Sequence, residues 1–301
     1  MPAQETRPTD VRSPDGTRLS VTTRGTAHTP LVVLVHGMGM STSSWGEVPE
    51  RLAGSCRVVT YGLRGHGDSD PARDGSYGLD AHAADLAAVL AAVRTDGEPV
   101  TALAHSFGGA IVLRYVARDG DDALSGIVFA GSGASAVTVP GVPAARGAGL
   151  LARVLRGCWL GVAGAAFVLA RRLRRWPRLT DRLTRWYAVA PGAPEHQVAL
   201  VRRDFLATRP RAMVRTVLAS LGNDGQQPAP EVSAPVTVVH GSHDREVSRA
   251  DAERLVERTP RAELVEVPDG SHMLPLTHPD VVVGAVLALV RRTAGPHPAD
   301  A

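Results

Sequence analysis

Short apolar runs alternate with longer amphipathic segments along most of this chain. The runs are the length of strands and consist mostly of Val, Leu, Ile and Ala, which is typical of strands buried on both faces. The predicted strands are Leu31–Val35, Val58–Tyr61, Val100–Ala104, Gly126–Ala130, Val236–His240 and Ala262–Val267, with an antiparallel edge strand at Arg18–Thr22. The predicted helices are 45–53, 80–93, 110–118, 249–258 and 279–291. This alternation predicts an α/β fold, with a mostly parallel sheet covered by helices on both faces.

The alternation stops between residues 134 and 230. That stretch contains no convincing strand and is rich in Ala, Leu and Arg, with interruptions by Pro and Gly. We predict a helical insert at 134–230 in a core formed by 1–133 and 231–301. The insert has 15 Arg against four acidic residues, a net charge of +11, whereas the rest has 18 Arg against 26 acidic residues, a net charge of −8. The overall charge of +3 therefore hides a basic insert on an acidic core.

The composition, 44% hydrophobic and 21% charged, is typical of a globular protein with a sizeable core. The longest uncharged apolar run, residues 158–170, is shorter than the roughly 20 residues of a membrane span. The first ten residues are polar and contain no apolar region of a secretory signal. Cys56 and Cys158 lack metal or redox spacing, so we expect a cytoplasmic protein with inert thiols.

The segment with the most chemical information joins the strand that starts at Val100 to the next helix. It contains Ala104-His-Ser-Phe-Gly-Gly109, with Ser106 at the corner. Small residues on both sides let strand and helix pack closely, so the turn can hold the serine hydroxyl above the end of the sheet. This is the pattern of a nucleophile elbow, G-x-S-x-G, with Ala104 in place of the first Gly. The alternative is an ordinary glycine-rich turn.

A serine hydroxyl becomes a good nucleophile when a base takes its proton and a third group orients that base. Asp244 and His272 each lie in a loop that follows a predicted strand. Because parallel strands end at one edge of the sheet, we expect both side chains near Ser106. The acid cannot follow the strand that ends at Ala130, since residues 123–180 contain no Asp or Glu.

His240 and His243 are rival candidates for the base. Their spacing with Asp244 also resembles part of a metal site, but the remaining ligands are missing from the sequence around them. We interpret His243 as a loop residue and His240 as a strand-end residue. We expect no metal and no cofactor.

Acyl transfer also needs donors for the oxyanion that forms on the attacked carbonyl. The backbone N–H groups of Phe107, next to the nucleophile, and of Met38, in the glycine-containing loop after Val35, are the candidates. The alternative is that the loop containing Met38 binds a phosphate. The G-x-x-x-x-G-K-[ST] pattern needs a lysine, and all 33 basic residues of this chain are Arg.

Four blocks together resemble the α/β-hydrolase-fold family of serine hydrolases along nearly the whole chain. They are His36-Gly-Met-Gly39 with Trp45 downstream, Tyr61-Gly-Leu-Arg-Gly-His-Gly-Asp-Ser-Asp70, Ala104–Gly109, and Gly270-Ser-His-Met-Leu274. The chain order Ser106, Asp244, His272 is the order of that family. The chain departs from the family pattern at Gly62, where many members of the family have Asp. Serine as nucleophile argues against the haloalkane dehalogenase and epoxide hydrolase branches, which use Asp.

The resemblance implies that the insert folds as a helical cap and forms one wall of an apolar pocket. Trp159, Phe167 and Trp186 are then candidate substrate-binding residues, although aromatic side chains there could instead fill the core of the cap. The arginine-rich run 171–178 could be a solvated face, or could attract anionic substrates or a membrane surface. We expect no nucleic-acid partner, because no nucleic-acid-binding fold is evident.

The sequence thus predicts a serine hydrolase that cleaves a carboxylic ester, thioester or lactone with an apolar acyl group through an acyl-enzyme. The same three residues also serve carbon–carbon bond hydrolases and cofactor-free perhydrolases. A protein that binds a ligand on this scaffold without catalysis is the alternative from another class. The natural substrate and the oligomeric state are not predicted.

Overall fold

The fold is described from a computed structural model. It covers residues 7–134, 176–222 and 232–293 apart from positions 28, 96 and 191, and single positions at 165, 168, 169 and 172. The strands are β1 Arg7–Arg12, β2 Arg18–Arg24, β3 Leu31–Val35, β4 Arg57–Tyr61, β5 Val100–His105, β6 Leu124–Ala130, β7 Val236–Gly241 and β8 Ala262–Val267. The helices are α1 Val48–Leu52, α2 Leu79–Val93, α3 Phe107–Asp119, α4 Pro177–Tyr187, α5 Glu195–Ala207, α6 Pro210–Gly222, α7 Arg249–Glu257, α8 Leu274–Thr277 and α9 Pro279–Thr293. A 3₁₀ turn spans Thr42–Trp45.

The strands form one eight-stranded sheet in the order β1-β2-β4-β3-β5-β6-β7-β8. β3 to β8 are parallel, whereas β1 and β2 form an antiparallel hairpin at one edge. This confirms the predicted α/β class, the six predicted strands and the edge strand, with ends within two residues. The carboxyl ends of the six parallel strands, β3 to β8, consequently share the edge on which the candidate residues were expected.

The sheet is buried on both faces, because successive side chains of a strand point to opposite sides. In β3, for example, Leu31, Val33 and Val35 belong to the apolar core that also includes residues of α2, α3 and α7, whereas Val32 and Leu34 belong to the core that includes residues of α1 and α9. Continuous apolar runs such as this one are what a sheet between two helical layers requires.

β1 was missed by the sequence analysis, which treated the first ten residues as a polar terminus. Its sequence is Arg7-Pro-Thr-Asp-Val-Arg12, and Val11 is the side chain that it contributes to the core. An edge strand needs few apolar residues, since it has one neighbour, here β2. Its pattern therefore cannot be distinguished from a polar tail.

The predicted insert is helical where the structure describes it, in α4, α5 and α6. Its bounds at 134 and 230 stay predictions. These helices sit on the carboxyl edge of the sheet, where Val189, Val198 and Val201 pack with Met40 and Met273 from core loops. The described part of the insert therefore lies beside the candidate site.

Candidate active site

Ser106 occupies a strained corner between β5 and α3. Its backbone has φ 53° and ψ −122°, although it is not a glycine, and such a conformation costs about 1–3 kcal/mol. The turn is held from two sides: the Ser106 N–H donates to the Ala130 carbonyl at 3.1 Å, and the Ser132 hydroxyl donates to the Ser106 carbonyl at 3.0 Å. Strain that is maintained in this way is typical of a functional position.

Glycine is needed beside Ser106 for steric reasons. A Cβ at Gly108 would lie 2.1 Å from the Val35 carbonyl oxygen, and a Cβ at Gly37 would lie 3.0 Å from the Ser106 Cβ. The elbow therefore packs directly against the end of β3 and the loop that follows it. No Cβ-bearing residue fits at position 108 without a shift of this backbone.

Asp244 and His272 form a buried acid–base pair at the same edge. Asp244 follows β7 and His272 follows β8, and their side chains are 0% and 4% exposed. Nδ1 of His272 lies 3.0 Å and 3.2 Å from the two carboxylate oxygens of Asp244. The Asp244 Oδ1 also accepts hydrogen bonds from the N–H groups of Glu246 and Val247, at 2.8 Å and 2.9 Å.

These contacts keep Asp244 ionised. Burial opposes ionisation, but His272 and the two backbone donors outweigh it and hold the pKa of the Asp244 carboxyl below its usual range. A carboxylate in this position fixes the ring and places the Nδ1 proton of His272 toward Asp244, which leaves Nε2 for chemistry.

The nucleophile candidate and the base candidate are linked through His105, the last residue of β5. His105 Nε2 lies 3.0 Å from the His272 carbonyl oxygen, and the two rings are 4.9 Å apart. Burial lowers the pKa of His105 to about 3, so this imidazole is neutral and its Nε2–H donates to the carbonyl. In the described part of the chain, no hydrogen bond joins the Ser106 hydroxyl to His272 itself.

Nε2 of His272 instead faces a second carboxylate, which the sequence analysis missed. Glu246 Oε2 lies 3.3 Å from Nε2, and the Glu246 side chain is 13% exposed. The only sequence signal is a glutamate two positions after the acid candidate. His243 and His240, the rival bases, lie apart from this pair: His243 is exposed and 3.6 Å from Asp269, and His240 is buried at the end of β7.

The loop after β3 is fixed by His36. The Leu63 N–H donates to His36 Nε2 at 3.0 Å, so the ring proton is on Nδ1, which donates to the Gly37 carbonyl at 2.9 Å. Burial lowers the pKa of His36 to about 3, which keeps the ring neutral. In the described part of the chain, no hydrogen bond is found for the N–H groups of Met38 and Phe107, the two candidate oxyanion donors.

The described helices of the insert are attached to the loops of this site. Asp204 on α5 accepts hydrogen bonds from the hydroxyls of Ser41 and Ser43, at 2.6 Å and 2.7 Å. The Ala188 carbonyl accepts from the Ser271 hydroxyl and the Met273 N–H, at 3.0 Å and 3.2 Å. The loop that carries His272 is therefore attached to the end of α4.

Of the three predicted substrate-binding aromatics, the structure places one. Trp186 is on α4, 60% exposed, with the Arg245 guanidinium 4.9 Å from its ring centre. Since Arg245 is the residue between Asp244 and Glu246, Trp186 lies at the rim of the site. Trp159 and Phe167 lie outside the described residues, as do Arg171, Arg174 and Arg175 of the arginine-rich run 171–178.

Two further observations concern the described residues as a whole. They contain no group of three or more His, Cys, Asp or Glu side chains that could hold a metal ion. No helix among them combines the length and apolar character that crossing a bilayer requires.

A strained serine elbow and a buried Asp–His pair at one edge of a parallel sheet define an enzyme scaffold of the nucleophile-elbow type. The chain belongs to the alpha/beta hydrolase family, whose sequence profile matches residues 32–285. This confirms the resemblance that the four sequence blocks indicated.

Comparison with individual proteins gives one short match and two that span the chain. The chain is 39% identical over 120 residues to the probable oxidoreductase EphD of Mycobacterium tuberculosis (strain ATCC 25618 / H37Rv). The matched segment covers 40% of this chain and 20% of that protein. It is 27% identical over 295 residues to a non-heme chloroperoxidase of Streptomyces lividans, covering 93% of this chain and 99% of that protein. The crystal structure of the esterase RhEst1 from Rhodococcus sp. ECU1013 superposes with a TM-score of 0.74, at 24% identity, over 95% of this chain and 99% of that one, and shares its fold.

Proposed function

We propose that the protein is a serine hydrolase that cleaves carboxylic esters, thioesters or lactones through an acyl-enzyme. The observation that carries this proposal is the strained Ser106 corner beside the buried Asp244–His272 pair. A glycine would adopt the positive φ of Ser106 without this strain, so the fold alone does not call for a serine at the corner. A serine held there next to an oriented imidazole is, however, the arrangement that acyl transfer by serine requires.

In the proposed reaction, neutral His272 takes the hydroxyl proton of Ser106 at Nε2 as the oxygen attacks the acyl carbon. Asp244 stabilises the imidazolium through Nδ1. The N–H groups of Met38 and Phe107 stabilise the negative charge on the carbonyl oxygen. His272 then gives its proton to the leaving oxygen or sulfur. Water, activated by the same imidazole, releases the acid and restores Ser106.

The acyl group that fits this proposal is apolar. Trp186 at the rim, together with Trp159 and Phe167 of the insert, would form its wall. A panel of activated esters of increasing acyl length measures this preference directly, since kcat/KM should rise with apolar length until the pocket is filled.

The proposal is tested with Ser106→Ala. Ester hydrolysis should fall by about 10³-fold or more and fluorophosphonate labelling should vanish, because the members of a triad act as a unit. Ser44→Ala is the matched control, since Ser44 is also buried but its hydroxyl donates to the Ser41 carbonyl. Undiminished turnover by folded Ser106→Ala protein would contradict the assignment, and absence of both hydrolysis and labelling in the wild type would favour a binding protein.

A second candidate function is a cofactor-free perhydrolase, in which hydrogen peroxide rather than water attacks the acyl-enzyme and a peroxy acid leaves. The match to a non-heme chloroperoxidase over 93% of this chain favours it. Addition of peroxide, a carboxylic acid and bromide should then brominate a dye, and Ser106→Ala should abolish this signal as well.

We also propose that α4 contacts an anionic lipid surface. The exposed large side chains of Trp176, directly before α4, and of Leu179, Leu183 and Trp186 within it are spaced three or four residues apart and so lie on one side of the helix. Exposed Arg178 and Arg182 flank this apolar face. An apolar helix face bordered by arginines matches the interface of a bilayer that contains acidic lipids.

A further inference from the structure

Glu246 is a buried carboxylate that faces the reacting nitrogen of the base candidate. Its backbone is fixed, since its N–H donates to Asp244 Oδ1 at 2.8 Å. Its Oε2 lies 3.3 Å from His272 Nε2, while Asp244 contacts the other ring nitrogen at 3.0 Å. The imidazole is thus held between two carboxylates, one at each nitrogen.

No other residue among those that the structure describes forms an ion pair with Glu246. The titratable groups that face this pair are Asp244 from the same loop, His105 from the end of β5 and Tyr187 from the end of α4. His105 is neutral, and burial together with Glu246 and Asp244 raises the pKa of the Tyr187 hydroxyl, so that it also stays neutral. The charges that act on His272 are therefore those of the two carboxylates.

The pKa values of both Glu246 and His272 are affected by this contact. Burial, opposed in part by His272, raises the pKa of Glu246 to about 7. Burial disfavours the imidazolium of His272, but Glu246 and Asp244 outweigh it and raise the pKa of the imidazole to about 9. At neutral pH the pair retains a proton on Nε2, the atom that must be free to accept the proton of Ser106.

We propose that Glu246 is a positioning residue that holds Nε2 of His272 in the free protein and so sets how readily the base becomes available to Ser106. This rests on the proposed hydrolase function. The Nε2 proton passes to solvent, which leaves a neutral imidazole that accepts the Ser106 proton as the oxygen attacks. Turnover is then limited below the pH at which the pair loses that proton.

The test is Glu246→Gln, which keeps the shape of the side chain and removes its charge. An opposite charge within about 4 Å shifts a pKa by about one to three units, so the midpoint of the rise of kcat/KM with pH should fall by that amount. At pH 7 each unit by which the pKa falls raises kcat/KM by up to about tenfold, until the pKa reaches about 7 and most of the imidazole is free base. Glu246→Asp retains the charge and should keep the midpoint closer to that of the wild type.

Two measurements separate this proposal from the function on which it rests. One is the pH profile of kcat/KM for an activated ester, and the other is NMR titration of the His272 ring, assigned with His272→Asn. Glu253→Gln is the matched control, since it removes a carboxylate paired with Arg249 on the surface. A lower midpoint of the His272 titration in Glu246→Gln supports the contact, even if neither the wild type nor any variant hydrolyses esters.

An unchanged His272 titration in Glu246→Gln would overturn the proposal, as would an unchanged midpoint in a variant that hydrolyses esters. Lower activity at every pH with the wild-type midpoint would likewise overturn it, since that result describes a residue that only supports the fold. Hydrolysis that persists in Ser106→Ala contradicts the proposed function but leaves the titration result valid.

Discussion

Lowering the pH from 7.5 to 5 should reduce the free energy of unfolding by about 2 kcal/mol less in the variant His66→Asn than in the wild type. His66 is fully buried behind the site, with its Nδ1 3.0 Å from the Arg64 carbonyl oxygen and its Nε2 without a partner. Burial lowers the pKa of this imidazole from 6.5 to about 4. An asparagine amide can make the same hydrogen bond to Arg64 and does not titrate.

The direction follows from proton linkage. The native state keeps His66 neutral down to about pH 4, whereas the unfolded chain takes up a proton below about pH 6.5. The unfolded state therefore binds more protons, so stability is complete above pH 6.5 and is lost as the pH falls toward 4. Each pKa unit corresponds to about 1.4 kcal/mol, and pH 5 lies about 1.5 units below 6.5, which gives about 2 kcal/mol.

The assay is urea denaturation of the wild type and of His66→Asn at both pH values, followed by circular dichroism. For each protein, the change in the free energy of unfolding between the two pH values is measured, and the change in the variant is subtracted from that in the wild type. Contributions from His36, His105 and the carboxylates are present in both proteins and cancel in this difference. His243→Asn is the control for the substitution itself, since it makes the same exchange at a side chain that is 65% exposed. Equal pH dependence in the wild type and His66→Asn would refute this account of the buried imidazole.

Two further predictions concern the described part of the insert. Asp204→Ala should lower the free energy of unfolding by about 2–4 kcal/mol and raise KM for esters, since it removes two hydrogen bonds between α5 and a core loop. Glu195→Ala on the same helix is the control, and equal stability of the two variants would contradict the interpretation. The double variant Leu179→Gln, Leu183→Gln should lose binding to vesicles that contain acidic lipids, at low salt, with turnover of a small neutral ester unchanged. Leu218→Gln, on another exposed helix, should bind like the wild type, and wild-type binding by the double variant would refute the lipid contact.

The sequence predicted most of the sheet, because buried parallel strands leave a direct signal. Leu31–Val35 is apolar at every position and lies between two helical layers, so its class and its ends could be read from its residues. β1 left no such signal, since Val11 is its contribution to the core. The loops that carry Asp244 and His272 were located by the strands before them, which is why the pair could be predicted without any contact being known.

Side-chain contacts between loops could not be predicted in this way. The approach of Glu246 to His272 depends on how the chain turns after Asp244, and a glutamate in a polar loop is ordinarily solvated. The bond from His105 to the His272 carbonyl joins residues 167 positions apart. Such contacts are fixed by the packing of β5, β7 and β8 side by side and not by any local pattern.

The separation of the site along the chain has a consequence for synthesis of the protein. Ser106 and the strands on either side of it leave the ribosome before His272, which lies 166 residues after Ser106 in the chain. β7 must pair with β6 across the whole insert, and β8 must pair with β7, before the Asp244–His272 pair can form. A nascent chain that still lacks β8 therefore carries the serine corner without the candidate base His272, so the complete constellation arises only after β8 has been made.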